Sequence, residues 1–565
     1  MSIWGAIRKP RFRGFTVFLC FVLVSCGSYY WRSVLFPVGW NSAQTDAQGR
    51  FLHDFSYAGY RSGEELPRMR GPVFRVSGVD TQGNADTTEA IQQAIQSAVY
   101  RGGGVVFLPA GLYRIDGQLQ VPGSRVVIRG EGPEKTRLLF TRWQGINYQA
   151  HLRVGNGNPD LAREIRLVSD GANRSRSLRL QTVDGLRVGD EIAVGFVITD
   201  AFRAEHGMTE HWNLWRNRWK TFFRREIRSI HRPSRTIVLD VPLRYALKRR
   251  DSASIRLESG YVRECGVEDL AVSNAVNYAD AWETVGISAL RLAGTADCWV
   301  RNVHSFANGR PGTNHPKETD GRHLLSHGIH VSASKRVTVE GCHMARPQHR
   351  GPGGNGYMYL IGTSSEILVK SSVGDRGRHN FTTSSEYGTS GCVFSRIRSV
   401  GSWMYMDWYD DRLLDLFGVR LGFPAFCDYH GYLAMANLVE DSDIHDGWKA
   451  LNRLTMSSGA GHSVTESVFW NIRGPQSPTI ENPGLIWSCQ YGQGYVIGTT
   501  RMMVYSTDAD PVQDLFGVTL PFGLHMDSGE GSLPLDFLEG IGKSRLAPRS
   551  LYQDQRARRL SGTRP

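Results

Sequence analysis

Apolar positions recur on two different periods along this chain. In "TEAIQQAIQSAVY", residues 88–100, Ala90, Ile91, Ala94, Ile95 and Ala98 fall on one face at helical spacing and predict a short amphipathic helix. Asp86 or Thr87 supplies its N-cap, and Gly102-Gly103-Gly104 stops it. Then "VVFLPAG", "LYRI" and "RVVIRGEG" follow as short apolar runs of strand length.

Similar runs return further on: "CGVEDLAVSN", "CWVRNVHSFAN", "KRVTVEGCHM", "SEILVKSSV", "GCVFSRIRSV", "MANLVEDSDI" and "HSVTESVFWNI". Each closes on Gly, Asn, Asp or Ser. Their starts lie roughly 25–45 residues apart, which suits stacked coils with side loops of variable length. Residues 139–258 break this rhythm. "GLRVGDEIAVGFVI" and "RTIVLDVPLRYAL" read as strands of a compact inserted sheet. Between them Trp212, Trp215, Trp219, Phe222 and Phe223 stand among basic residues. Such aromatics pin an insertion to its host, or grip sugar rings, an anionic chain or a membrane surface.

The stretch "GVDTQGNADTTEAIQQAIQSAVYRGGGVVFLPAGLYRI" resembles the N-terminal signature of the pectin-lyase-like superfamily, whose members include pectate lyases and relatives of glycoside hydrolase family 28. The resemblance implies an all-β fold: a right-handed parallel β-helix with an N-terminal capping helix, carrying here an inserted small β-rich domain. The division expected is residues 71–138 for the cap and first coils, 139–258 for the insertion and 259–535 for the remaining coils.

Polar groups gather on three successive coil segments. "GDRGRHNF" holds Arg376, Arg378 and His379; "CDYHGYLAMANLVEDSDIHDGW" holds Asp428, His430, Asn437 and Trp448; "NRLTMSSGAGHSVTESVFWN" holds Asn452, Arg453, His462, Glu466 and Trp470. Equivalent positions on successive coils lie about 4.8 Å apart, so residues distant in sequence can line one groove. His379, His430 and His462 are expected in one column with Arg378 and Arg453 as the catalytic set. The other residues named, with Trp215, are expected to bind substrate. Removing the proton α to a uronate carboxylate needs a cation on that carboxylate, which Arg supplies, and a base, which His supplies. The set fits a lyase or a C5-epimerase on an acidic polysaccharide, with Tyr387, Tyr429 or Tyr432 as the acid. A hydrolase would need paired carboxylates instead, from Asp407, Asp410 and Asp411 or from Asp441, Asp443 and Asp446. A non-catalytic polysaccharide binder is the reading from another class. "EDSDIHD" is compatible with Ca²⁺, and no cofactor is otherwise required. His323, His327 and His330 are too poorly spaced along one strand to make a metal site.

The ends change the setting. Arg8, Lys9, Arg11 and Arg13 precede the apolar run "GFTVFLCFVLVS", and Leu23-Val24-Ser25-Cys26 resembles a bacterial lipobox. The expectation is a signal peptide over 1–25, lipidation of Cys26, and a chain held at the cell envelope, on the outer membrane. Cleavage removes those four cations and takes the formal charge from +12 to +8, in keeping with an anionic polymer. No nucleic-acid motif appears, and a monomer is expected. Six later cysteines, Cys265 to Cys489, show no Cys-x-x-Cys pair and read as small buried residues, with one or two bridges as the alternative. Residues 26–70 read as a linker and 536–565 as a basic, partly disordered tail.

Overall fold

A computed structural model describes residues 30–315, 320–384, 386–405, 422–506 and 536–562. Its helix Thr88–Tyr100 starts where the apolar period begins. Asp86 Oδ1 accepts the Thr88 N–H at 3.0 Å, so this carboxylate caps the first turn. Ile91, Ile95 and Ala98 are buried in one cluster with Val106 and Leu119, and the helix covers the end of the coil core.

From there the chain winds as a right-handed parallel β-helix. One face is a ten-stranded sheet running from Leu119–Val121 to Met503–Tyr505, and a 19-stranded sheet carries the remaining broad faces. The third side narrows to single bridges through Ala296, Lys335, Ser365, Ser390 and Met435. Alternation along each strand sorts side chains inward and outward. Inward, Leu290, Ile329, Tyr359 and Phe381 stand in register, with the last two rings stacked at 4.7 Å. Outward, one residue further on, the ladder reads Arg291, His330, Leu360, Thr382, Asp428 and Lys449. This outer ladder positions the site. The six cysteines from Cys265 to Cys489 are buried free thiols.

The insertion starts later than its sequence pattern predicts. Ala150–Val154 is a coil strand, with Leu152 paired to Leu290. The inserted six-stranded antiparallel sheet runs from Asp160–Arg166 to Ser254–Ser259. Trp212, Phe222 and Phe223 are buried in a shared core with Tyr387, Tyr432 and Met435 of the coils. Backbone contact is direct: Ser365 Oγ accepts the Arg224 N–H at 3.0 Å, and Ser390 Oγ donates to Phe222 O at 3.1 Å. Gly388, at φ +96°, lies against Thr221 O, where a Cβ would clash.

Neither end behaves as a loose segment. Between 30 and 70, Phe36, Trp40, Leu52 and Phe55 pack with Leu438, Val468 and Trp470 on the outside of the larger sheet, so this stretch is a strap and not a linker. The basic C-terminal stretch is likewise ordered through 562: Phe537–Glu539 extends the sheet, and Leu551–Leu560 is a helix capped by Ser550. Leu551, Tyr552 and Gln555 face inward despite the surrounding arginines, and Gln555 Oε1 accepts the Phe55 N–H at 2.8 Å. The outer face of these coils is apolar, and both ends are recruited to cover it. Among the described residues no helix is long and apolar enough to cross a membrane. Cys26, Asp407, Asp410 and Asp411 lie outside the described residues.

Candidate active site

Asp428 and His430 are two apart on one strand and its exit, so both project outward from the ten-stranded sheet. His430 Nδ1 lies 2.8 Å from Asp428 Oδ2. The next coil returns Arg453, whose Nη1 donates to the same oxygen at 2.9 Å and to His430 O at 3.1 Å. Thr382, one coil back on the outer ladder, donates its hydroxyl to Asp428 Oδ1. Nδ1 of His430 faces an acceptor, Asp428 Oδ2, and a donor, Arg453 Nη1, both at 2.8 Å; in the tautomer that gives the Nδ1 proton to the carboxylate, Nε2 keeps a lone pair.

A second column runs along the corner where these strands begin. His327 stacks on Tyr357 at 4.8 Å, and Tyr357 pairs in register with His379. Tyr357 Oη lies 3.4 Å from His430 Nε2. His379 Nδ1 lies 2.5 Å from Phe426 O, which fixes its proton there, and its buried Nε2 has no hydrogen-bond partner. The two imidazoles are edge to face at 5.4 Å. Arg378, one residue before His379, donates Nη1 to Gly351 O at 3.0 Å and holds its guanidinium 5.8 Å from the Tyr357 ring centre. Among the described residues it has no carboxylate partner.

These groups line a cavity of about 950 Å³, walled also by Leu214 of the insertion and by Phe423, Phe426 and Leu451. Arg378, Lys449 and Arg453 face a single carboxylate, Asp428, among its described lining residues. Burial holds His430 down at about 4, with Arg453 adding to that and Asp428 opposing it. Burial likewise holds His379 down at about 3. Burial works to raise Asp428, but His379, His430 and Arg453 outweigh it and keep the carboxylate ionised. Burial pushes the Tyr357 phenol up. At neutral pH the described lining therefore holds neutral imidazoles, a protonated phenol and more cationic side chains than carboxylates.

Ligand atoms of His379, Asp428 and His430 lie within 4.8 Å of one another, the spacing of a metal centre. Arg453 stands in the cation's place, 2.9 Å from Asp428 Oδ2 and 2.8 Å from His430 Nδ1, so the set does not suit an ion. Ca²⁺ at "EDSDIHD" fits no better. Glu440 accepts from Ser395, Ser550 and the Tyr552 N–H, while Arg473 and Arg549 occupy Asp441.

Of the expected groove residues, Arg378, His379, Asp428, His430 and Arg453 come together. His462 does not join the column. A side loop between Leu451 and Ser463 carries it toward the insertion, where it packs against Tyr491 and Trp212. Asn452 caps that loop through Leu454 N at 3.0 Å. Asn437 sits inside a coil turn and accepts the Cys392 N–H at 2.9 Å. Glu466 is tied to His53 at 2.7 Å and to Asn173. Trp448 lies in the coil interior and Trp470 under the N-terminal strap. Trp215 packs on the insertion with Lys220 Nζ 3.5 Å from its ring. Arg376 pairs with Asp320 at 2.6 Å on the surface. Asp446 is enclosed by Asn380, Ser399 and Ser402, and burial pushes it up to about 6. Of the expected tyrosines, Tyr387 is buried under the insertion, while Tyr429 and Tyr432 border the cavity, Tyr429 packed into the coil core and Tyr432 donating to Ser458 O. Tyr357 was not anticipated, because it shares the inward parity of Tyr359 and is turned out only by the corner.

Residues 74–165 match the family model described as rhamnogalacturonase A/epimerase, pectate lyase-like. No curated protein matches the chain. Among solved structures, the tailspike gp61 of Pseudomonas phage phi297 is similar at 12% identity and TM-score 0.44, over 77% of this chain and 75% of that one. The Gp54 tailspike of Acinetobacter baumannii bacteriophage AP22, solved in complex with A. baumannii capsular saccharide, is similar at 10% identity and TM-score 0.35, over 75% and 63%. The A-module of the mannuronan C-5 epimerase AlgE6 of Azotobacter vinelandii is similar at 10% identity and TM-score 0.30, over 76% and 95%.

Proposed function

We propose that this chain, a right-handed parallel β-helix whose residues 74–165 match a pectate lyase-like family model, is a carbohydrate-active enzyme that cleaves a uronate-containing polysaccharide by β-elimination. The observation that carries the reading is His430, tied through Nδ1 to Asp428 and with Nε2 3.4 Å from Tyr357 Oη, in a cavity that also holds Arg378, which has no carboxylate partner among the described residues. Arg378 binds the uronate carboxylate and stabilises the charge that builds on it as the C5 proton leaves. His430 Nε2 takes that proton. The electrons of the C5–H bond form the C4=C5 double bond, and the C4–O bond breaks. Tyr357 donates its phenolic proton to the departing oxygen. His430, 3.4 Å away, then returns its proton to the phenolate, and both groups end as they began.

Two features favour this over hydrolysis. Asp428 is the sole carboxylate among the described lining residues, and it is already engaged by Thr382, His430 and Arg453. An inverting or retaining hydrolase needs two carboxyl groups across the bond. A C5-epimerase shares the abstraction step, and His379, with a free Nε2, would serve as its second proton carrier. The test is turnover of a uronate panel by His430→Ala, Arg378→Ala and Tyr357→Phe, read as unsaturated product. If all three variants turn over at the wild-type rate, the assignment is wrong. Deuterium entering C5 without chain cleavage would select the epimerase. The same proposal places the protein at the cell envelope through lipid on Cys26, which labelled-palmitate incorporation lost in Cys26→Ser would establish.

A further inference from the structure

A second cavity, of about 1020 Å³, lies where the N-terminal strap, the insertion and the C-terminal helix meet, and it shares no lining residue with the His430 cavity. Six arginines and three carboxylates line it. One of those carboxylates, Asp240, is drawn away by Arg336 at 3.3 Å. Three of the arginines form no ion pair among the described residues; neutral acceptors hold them in place. Arg174 donates to Ser42 O, Gln44 O and Thr45 Oγ1. Arg176 donates to Leu239 O and Asp240 O through Nε and Nη2. Arg559 donates to Ser56 Oγ at 2.9 Å and to Ser56 O and Ser62 O, again through Nε and Nη2. Carbonyls and hydroxyls fix a guanidinium without cancelling its charge, and among the described residues Nη1 of Arg176 and of Arg559 has no acceptor. Between these two stands Tyr57, its ring centre 4.8 Å from Arg559 Cζ and 5.8 Å from Arg176 Cζ.

We propose that this Arg174–Arg176–Arg559 cavity is a second binding site, taking an anionic saccharide whose oxyanions meet the guanidinium groups. Preformed, charge-uncompensated guanidinium forks are the chemistry of carboxylate, sulfate and phosphate recognition. A recess rimmed by three separate chain segments admits a polymer strand, whereas a flat bilayer cannot reach its floor. The sugar part of the assignment rests on the proposed function; the oxyanion part does not.

The test uses residues 27–565 carrying His430→Ala, so that no probe is consumed. Fluorescent polygalacturonate, alginate and dextran sulfate are titrated at low and high salt, with neutral dextran as control. Arg176→Gln with Arg559→Gln is expected to weaken polyanion binding about tenfold or more and to flatten its salt dependence. Arg228→Gln, on the exposed rim, leaves the strap anchors intact and is expected to cost about twofold. Adding Arg378→Ala should leave the salt-dependent component in place. Binding that is unchanged in both arginine variants, or absent from the parent, overturns the site. Preference for phosphatidylglycerol vesicles over all three polymers, lost in the same variants, would overturn the saccharide in favour of a lipid headgroup.

Discussion

Two buried acidic clusters on this β-helix both pair carboxylates with hydroxyls and arginines, and they do opposite things. At Glu440 and Asp441, on the larger sheet, every neighbour closes the charge. Ser395, Ser550 and the Tyr552 N–H satisfy Glu440, and Arg473 and Arg549 satisfy Asp441 beneath the C-terminal helix. At Asp428, on the ten-stranded sheet, the carboxylate is closed just as firmly, yet its partner His430 lines a cavity, with Nε2 held only by long contacts to Tyr357 Oη at 3.4 Å and Ser457 Oγ at 3.5 Å. Burial and charge density do not separate the two clusters. What separates them is whether the cluster ends on a titratable side chain that lines a cavity large enough for sugars.

The largest break in that contrast comes from His430→Ala, expected to lower turnover by about 10²–10⁴-fold with little change in thermal stability. Arg378→Ala should follow at about 10²–10³-fold, felt in both kcat and KM, because it meets the carboxylate before and during proton loss. Asp428→Asn tests positioning. It should lower kcat by on the order of 10²-fold with KM nearly kept, since a neutral amide with one accepting oxygen orients the imidazole less firmly and does not stabilise the imidazolium that forms. It should also move the acid limb of the rate profile. His430 is active when neutral, so the wild-type rate rises with pH through about 4. Asp428 raises that value, so its loss shifts the limb to lower pH. Glu440→Ala should reverse the pattern, costing about 2–4 kcal/mol of stability by stranding Ser550 and the Tyr552 N–H, while turnover per folded molecule holds. Denaturant titration beside the rate assay separates these outcomes. The smallest effects belong to Arg376→Ala and His462→Ala, both expected to keep turnover within about twofold of wild type.

The coil stack and its cap were legible in the sequence because they rest on local rules: helical spacing at Ile91 and Ile95, and short apolar runs closed by turn residues. Arg378, His379, His430 and Arg453 were legible as neighbours because coil stacking brings successive turns together, whereas Asp428, expected to meet substrate, is engaged by His430 and Arg453 instead. The rest depended on register and on covering surfaces. Thr382 meets Asp428 across 46 residues, while Lys449 meets it across 21, and no spacing in the sequence announces either step. His462 falls out of the column because its side loop leaves the stack for the insertion. Tyr357 and His379 have inward parity and reach the cavity only because they stand at a corner. The ends were misread because composition does not show that Leu551, Tyr552 and Gln555 share one helix face opposite the arginines.

One measurement bears on the account most directly: ultraviolet absorbance and reducing ends, followed together, for residues 27–565 and for His430→Ala on a panel of uronate polysaccharides. Both signals rising in step for the wild type, and both lost in the variant at unchanged thermal stability, is the predicted result. Reducing ends rising without absorbance, or a variant as active as the wild type, would contradict it.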